Sequence, residues 1–315
     1  MRVCLMIEGQ EGVTWKDWVA LASTSEQAGL DALFRSDHYT SMFNESSHGS
    51  LDAWATLSGL AAVTSTLRLG TMVSPATFRH PSALAKMVVT ADHISGGRVE
   101  LGLGAGWFER EHSGYGFPFA TISTRMKVLA EQLEIVHEQW TSDDFSFAGE
   151  HYSIDSLNAL PKPVQQPHPP LIVGGSGKKG SVDLAARWAD EYNTVGQTPE
   201  KCSELRADLD QACRRHGREP ASLPLSVMTT CIVGINPSEF LERVRIVLRA
   251  INNDDSPEDF VRGSQAEQVL GTVDGVVERL RAYEAAGVQR VMLQHLLHQD
   301  LDMVRLLGAV ATAVT

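Results

Sequence analysis

Near its two ends the chain repeats one short module. Glu26-Gln27-Ala28-Gly29-Leu30-Asp31-Ala32-Leu33-Phe34 is echoed by Glu284-Ala285-Ala286-Gly287-Val288-Gln289-Arg290-Val291-Met292. Each copy reads as the end of a helix, a glycine terminator and a short buried strand, because glycine takes the left-handed turn after a helix at no steric cost. Strand-like runs at 3–7, 67–73, 99–103, 171–173, 191–195 and 225–233 alternate with helix-like stretches at 51–64, 81–94, 123–140, 181–189, 205–216 and 240–251. Thr14 is placed to cap a helix that carries Trp15, Trp18, Val19 and Ala22 on one face. About eight such units suit a closed ring, so the pattern predicts an α/β fold of the (β/α)8 TIM-barrel type. An open dinucleotide-binding sheet would need a glycine-rich turn after its first strand. Glu8-Gly9-Gln10-Glu11-Gly12 lacks that spacing. Residues 106–119 read as loop and 143–152 as a small hairpin, with Pro161, Pro163, Pro167, Pro169 and Pro170 marking an extended connector. These are inserted segments within one domain spanning residues 1–315.

Composition narrows the function. With a formal net charge of −12, the chain is a poor match for nucleic acid or an anionic membrane surface. No apolar run reaches the length of a membrane span, and Met1-Arg2 leads straight into a strand-like run, as expected of a soluble cytoplasmic protein without a secretory leader. Cys4, Cys202, Cys213 and Cys231 form no Cys-x-x-Cys pair and fit free thiols in a reducing compartment, with Cys4 and Cys231 in the core. Any anionic ligand needs backbone amides or a few basic side chains to offset the acidic surroundings.

In a (β/α)8 barrel, working residues follow the carboxyl ends of strands. After strand two come Arg35-Ser36-Asp37-His38-Tyr39, and after strand three Val73-Ser74-Pro75. His38 is the acid–base candidate, since imidazole titrates near neutrality and Asp37 is adjacent. Gly102-Leu103-Gly104-Ala105-Gly106, at the end of strand four, has no bulk and would admit a flat ring, with Trp107, Phe108 and Glu109 beyond it. After strand five, Gly174-Gly175-Ser176-Gly177 leads into a helix beside Lys178 and Lys179, and its amides and the Ser176 hydroxyl could cradle a phosphate. Metal and serine-nucleophile chemistry find little support. There is no His-x-His, no His-Glu-x-x-His helix and no Gly-x-Ser-x-Gly elbow, and His295 and His298 lack further ligands nearby. Asp92-His93 and His80-Pro81 read as helix-end features.

Phe34-Arg35-Ser36-Asp37-His38, residues 69–81, residues 92–107, residues 160–177 and Ala185-Ala186-Arg187-Trp188-Ala189-Asp190-Glu191-Tyr192-Asn193 together resemble, in order, the bacterial luciferase-like monooxygenase superfamily, more closely its coenzyme F420-dependent branch. The resemblance implies a barrel that is often dimeric, with a deazaflavin or isoalloxazine ring over its mouth. Asp37 and His38 would reach that ring, while Gly104, Ala105, Gly106, Trp107 and Glu109 would line it. Gly174, Gly175, Ser176 and Gly177 would hold the phosphate. A non-proline cis peptide is implied at Val73–Ser74. The sugar-phosphate dehydrogenases of this branch carry a carboxylate directly after the third glycine. Trp107 stands there instead, which disfavours glucose 6-phosphate and points to a more apolar organic substrate. The implied activity is hydride transfer between reduced coenzyme F420 and a small organic substrate, served by a homodimer and a separate reductase. The alternative is a two-component monooxygenase using reduced FMN and O2. A barrel that binds a ligand without catalysis is disfavoured, because His38 and both glycine segments are intact. The loops at 39–50, 106–120 and 252–268 are the places where substrate choice would lie.

Overall fold

The computed structural model describes residues 1–44 and 47–314. Eight parallel strands follow one another around a closed barrel: β1 (Arg2–Ile7), β2 (Ala32–Arg35), β3 (Arg68–Thr71), β4 (Val99–Gly104), β5 (Leu171–Gly174), β6 (Glu191–Val195), β7 (Leu225–Gly234) and β8 (Val288–Gln294). The ring closes where Arg2 of β1 lies opposite Arg290 of β8. An outer layer of helices follows the strands: α1 (Trp15–Gln27), α2 (Ala53–Val63), α3 (Pro81–Ser95), α4 (Ile122–Thr141), α5 (Lys179–Trp188), α6 (Pro199–Arg215), α7 (Val273–Ala285) and α8 (Leu301–Val314). No helix among the described residues is long and apolar enough to cross a membrane.

Successive side chains on a strand point to opposite faces, and this divides the core in two. Val3, Leu5 and Ile7 of β1 join the layer between strands and helices. Cys4 and Met6 point inward with Ala32, Phe34, Met72, Ile172 and Met292. All four cysteines are buried and free. The repeated module has the anticipated form, with Gly29 at φ 73° and Gly287 at φ 88° ending α1 and α7. Thr14 caps α1 in a reciprocal pair with Asp17.

The opposite end from the strand carboxyl termini is closed by charge. Arg290, 1% exposed, reaches Glu100 at 2.7 Å and Glu191 at 3.1 Å, and Arg68 also grips Glu100 at 2.5 Å. Burial pushes the Glu100 carboxyl up, but Arg290 and Arg68 outweigh it and bring it down to about 2. For Glu191 burial outweighs Arg290, and its carboxyl is raised.

Several segments differ from the sequence reading. The cis peptide lies at Met72–Val73, one residue before Val73–Ser74, and Ser74–Pro75 then pairs with Leu103 and Gly104. Within 106–119 there is a short helix, Glu109–Tyr115, ended by Gly116 at φ 73°. The hairpin runs to Leu157, with strands Phe145–Ala148 and Ser153–Leu157. Between β7 and α7, beyond the helix anticipated at 240–251 and found at Pro237–Ala250, lie a further helix, Pro257–Ser264, and the strand Val269–Thr272, which pairs with the end of β7. His80 does cap α3, accepting from the Ser82 amide. Asp92 and His93 do more than end a helix: they fasten the proline-rich connector. Asp92 accepts from the Val164 and Gln165 amides, and His93 meets the Lys162 carbonyl.

Candidate functional site

At the strand carboxyl ends, His38 stands just past β2 with its side chain 12% exposed. Its Nδ1 lies 2.8 Å from Glu111 Oε2, on the short helix after β4. Glu111 also accepts from the backbone amides of Tyr39 and Thr40, and its side chain is wholly buried. Burial alone would lower the His38 pKa. Glu111 first, then Glu8 and Asp37, reverse this and raise it above the ordinary value. Nε2 has no partner among the described residues, and the ring meets Trp107 and Phe108 edge-on at 5.6 and 6.0 Å.

Asp37 does not serve His38 directly. Its carboxylate is taken by Arg79 through two bonds of 2.6 and 3.1 Å and by the Ser74 hydroxyl at 2.6 Å. Arg79 also reaches Asp52, the cap of α2, and the Tyr39 hydroxyl. This buried knot ties the ends of β2 and β3 together, and it accounts for both Asp37 and Ser74. Arg35 is structural as well. It donates to Ser50 and the Leu51 carbonyl and lies over the Trp18 ring at 4.8 Å, and burial lowers its pKa to about 10. Glu109 is exposed in the first turn of the short helix, two residues before the carboxylate that meets His38.

A second polar network went unread in the sequence. Gln10 and Gln294 each donate an amide N–H to Glu8, which is 6% exposed. Thr230 donates to Gln294 at 2.7 Å and Ser36 to Gln10 at 2.5 Å, so every donor in the chain points toward one carboxylate. These residues belong to β7, the end of β8 and the turns after β1 and β2. Only barrel closure brings them together.

The glycines serve packing as much as access. A Cβ on Gly104 would lie 2.8 Å from Val73 and one on Gly174 3.0 Å from it, so the Val73 side chain occupies the hollow they leave. Gly106, at φ 77°, abuts Thr77 and His112, and His112 in turn binds Thr77 and the Phe108 carbonyl at 2.6 and 2.7 Å. Ala105 is half-buried beside it, whereas Trp107 is 61% exposed and stacks on Phe108 at 5.2 Å. Tyr39, Phe78, Tyr115 and Phe117 extend this aromatic wall. At the end of β5, the Tyr192 hydroxyl supports the glycine loop from beneath, accepting from the Gly177 amide and meeting Ser181, each at 2.9 Å. Gly175 leaves the room, since a Cβ there would lie 2.4 Å from that hydroxyl. Helix α5 begins at Lys179 without a side-chain cap, and Ser176, Lys178 and Lys179 are exposed there. Uncapped amides with two lysines fit an anionic group.

A depression of about 670 Å³ lies at the opposite end, lined by Met1, Arg2, Asp31 and Gln289 among others, away from His38. Of the loops singled out for substrate choice, 39–50 contains Glu45 and Ser46, which lie outside the described residues.

The luciferase-like monooxygenase family model matches residues 2–290. An uncharacterized protein of Mycobacterium tuberculosis (strain ATCC 25618 / H37Rv) is 39% identical over 46% of this chain and 50% of its own length. An FMNH2-dependent dimethylsulfone monooxygenase of Pseudomonas putida is 31% identical over 60% of this chain and 50% of its own length. The chain thus spans about half the length of the curated relatives it matches. Among solved structures, an F420-dependent secondary alcohol dehydrogenase in complex with an F420–acetone adduct superposes with a TM-score of 0.85 at 19% identity, covering 100% of this chain and 99% of that one. That likeness concerns the fold, whereas the family match rests on sequence along nearly the whole barrel, from the first strand into the last. The chain belongs to the luciferase-like monooxygenase family.

Proposed function

We propose that the chain is an oxidoreductase that transfers a hydride between reduced coenzyme F420 and a small organic substrate at the barrel mouth. The observation that carries this reading is His38, just past β2: its Nδ1 is held by the Glu111 carboxylate, which raises its pKa, and its Nε2 has no partner among the described residues. When bound, the deazaflavin supplies the hydride. Ala105, Gly106 and Trp107 would line its ring, and the α5 amides with Ser176, Lys178 and Lys179 would hold its phosphate. Their uncapped, locally basic arrangement fits that group. His38 gives or takes the proton that accompanies hydride transfer. Trp107, Phe108 and the aromatic wall exclude water and favour an apolar substrate. Asp37, Ser74 and Val73 shape the mouth from behind. The same reading takes residues 1–315 as one barrel domain, working as a cytoplasmic homodimer with a separate reductase.

A second reading, a two-component monooxygenase using reduced FMN and O2, is favoured by the sequence likeness to the dimethylsulfone monooxygenase. Side-by-side fluorescence titration with coenzyme F420 and FMN separates the two. Tight F420 and weak FMN binding is expected; the reverse supports the monooxygenase, and binding of neither defeats both. With the bound cofactor and a reducible substrate, His38→Asn should lower turnover by about 10²–10⁴-fold while cofactor affinity is retained.

A further inference from the structure

The loop after β2 that carries His38 is fastened by two carboxylates from neighbouring loops. From the β1 side, Glu11 accepts from the Ser41 hydroxyl at 2.6 Å and the Met42 amide at 2.9 Å. From the β4 side, Glu111 accepts from the Tyr39 and Thr40 amides and meets His38 Nδ1. The two clamps differ in one respect: only Glu111 touches the imidazole. Its Oε1 fixes the backbone on either side of the Tyr39–Thr40 peptide while its Oε2 fixes the ring, so one side chain sets both the path of the loop and the direction of its histidine.

We propose that Glu111 is the positioning residue for His38, its buried carboxylate acting as ring anchor and counter-charge so that the imidazolium presents Nε2–H to the barrel mouth. This rests on the proton-transfer role assigned to His38 above and adds the group that controls it. In the donating direction the Nε2–H bond breaks, and the proton joins the substrate atom that has gained negative charge. The ring becomes neutral and keeps Nδ1–H on Glu111, whose own proton affinity is held low by His38 and the two amides despite burial. Glu111 therefore stays a carboxylate throughout. The other charged groups acting on His38 are Glu8 and Asp37. Asp37 is already neutralised by Arg79, and Glu8 is engaged by two glutamine amides. Glu111 is thus the partner whose removal should be felt most.

The test is histidine titration by NMR on the full chain without added cofactor, with the His38 signal assigned by its loss in His38→Asn. Glu111→Gln keeps an oxygen able to accept from Nδ1 and removes the charge, and Glu11→Gln disturbs the same loop without touching the ring. In Glu111→Gln the His38 pKa should fall by about 1–3 units, while Glu11→Gln leaves it in place. An unchanged value in Glu111→Gln overturns the proposal, as does an equal fall in both variants. If Glu111→Gln does not fold, as judged by circular dichroism, the wild-type titration decides, because a His38 pKa at or below 6.5 overturns it too. This readout needs neither coenzyme nor substrate. A failed F420 or FMN titration would count against the proposed function and leave the dyad standing, whereas a flat His38 titration would do the reverse. With an active enzyme, Glu111→Asp should restore the alkaline limb of the turnover–pH profile that Glu111→Gln shifts toward lower pH.

Discussion

His38 and His295 carry the same side chain into opposite surroundings. His38 faces carboxylates, and its folded-state pKa is raised, so the stability it contributes is complete below the unfolded value of about 6.5 and fades as pH rises through the folded one. His295 is sealed in the core at 2% exposure, with Nε2 on the Asp300 carbonyl, and burial lowers its pKa to about 4. It stays neutral while an unfolded chain would bind a proton, so its contribution is lost as pH falls from 6.5 toward 4. In urea unfolding between those pH values, wild type should lose about 3 kcal/mol more stability than His295→Gln. Equal slopes would show that His295 is not held neutral. The sequence pointed to His38 but matched it with the wrong carboxylate. Asp37 is its neighbour in the chain, yet consecutive side chains at a strand end diverge, and Asp37 turns away to Arg79. Glu111 lies 73 positions further on, in a stretch with no visible spacing to His38.

At the scale of elements, strands and helices were legible because apolar periodicity, caps and glycine stops agreed along the chain. The short helix Glu109–Tyr115 was not. It covers 7 residues, has no side-chain cap at Phe108 and shows no apolar stripe, so nothing local separates it from loop. The glycines of β4 were read as room for a ring and those after β5 as a phosphate cradle, and part of the space beside Gly104 and Gly174 is filled from within by Val73, whose approach depends on barrel geometry. Gly102 makes the sharpest case: a Cβ there would lie 2.1 Å from the Thr71 carbonyl oxygen and 2.8 Å from Val73. Backbone in a paired strand has little freedom to yield. Gly102→Ala should therefore cost about 1–3 kcal/mol or more, seen as a lowered melting temperature. An unchanged melting temperature would mean that β3 and β4 can part without penalty.

At the scale of the whole molecule, the barrel has two unlike ends. Polar and aromatic groups converge at one, and the Arg290–Glu100–Glu191 cluster fills the other. No reading of single strands could assemble that cluster, since each charge stands alone in its own strand until the ring closes. Arg290→Met would leave two buried carboxylates without their shared cation, and about 3–5 kcal/mol of stability should be lost in denaturant titration. Retention of wild-type stability would mean that Arg68 and Arg2 suffice to neutralise them. The plug also has a consequence for traffic. A vessel stoppered at its base has a single doorway, so two molecules that must meet inside cannot enter from opposite sides. On the proposed function, cofactor and substrate would queue there, the one that sits deeper arriving first and leaving last.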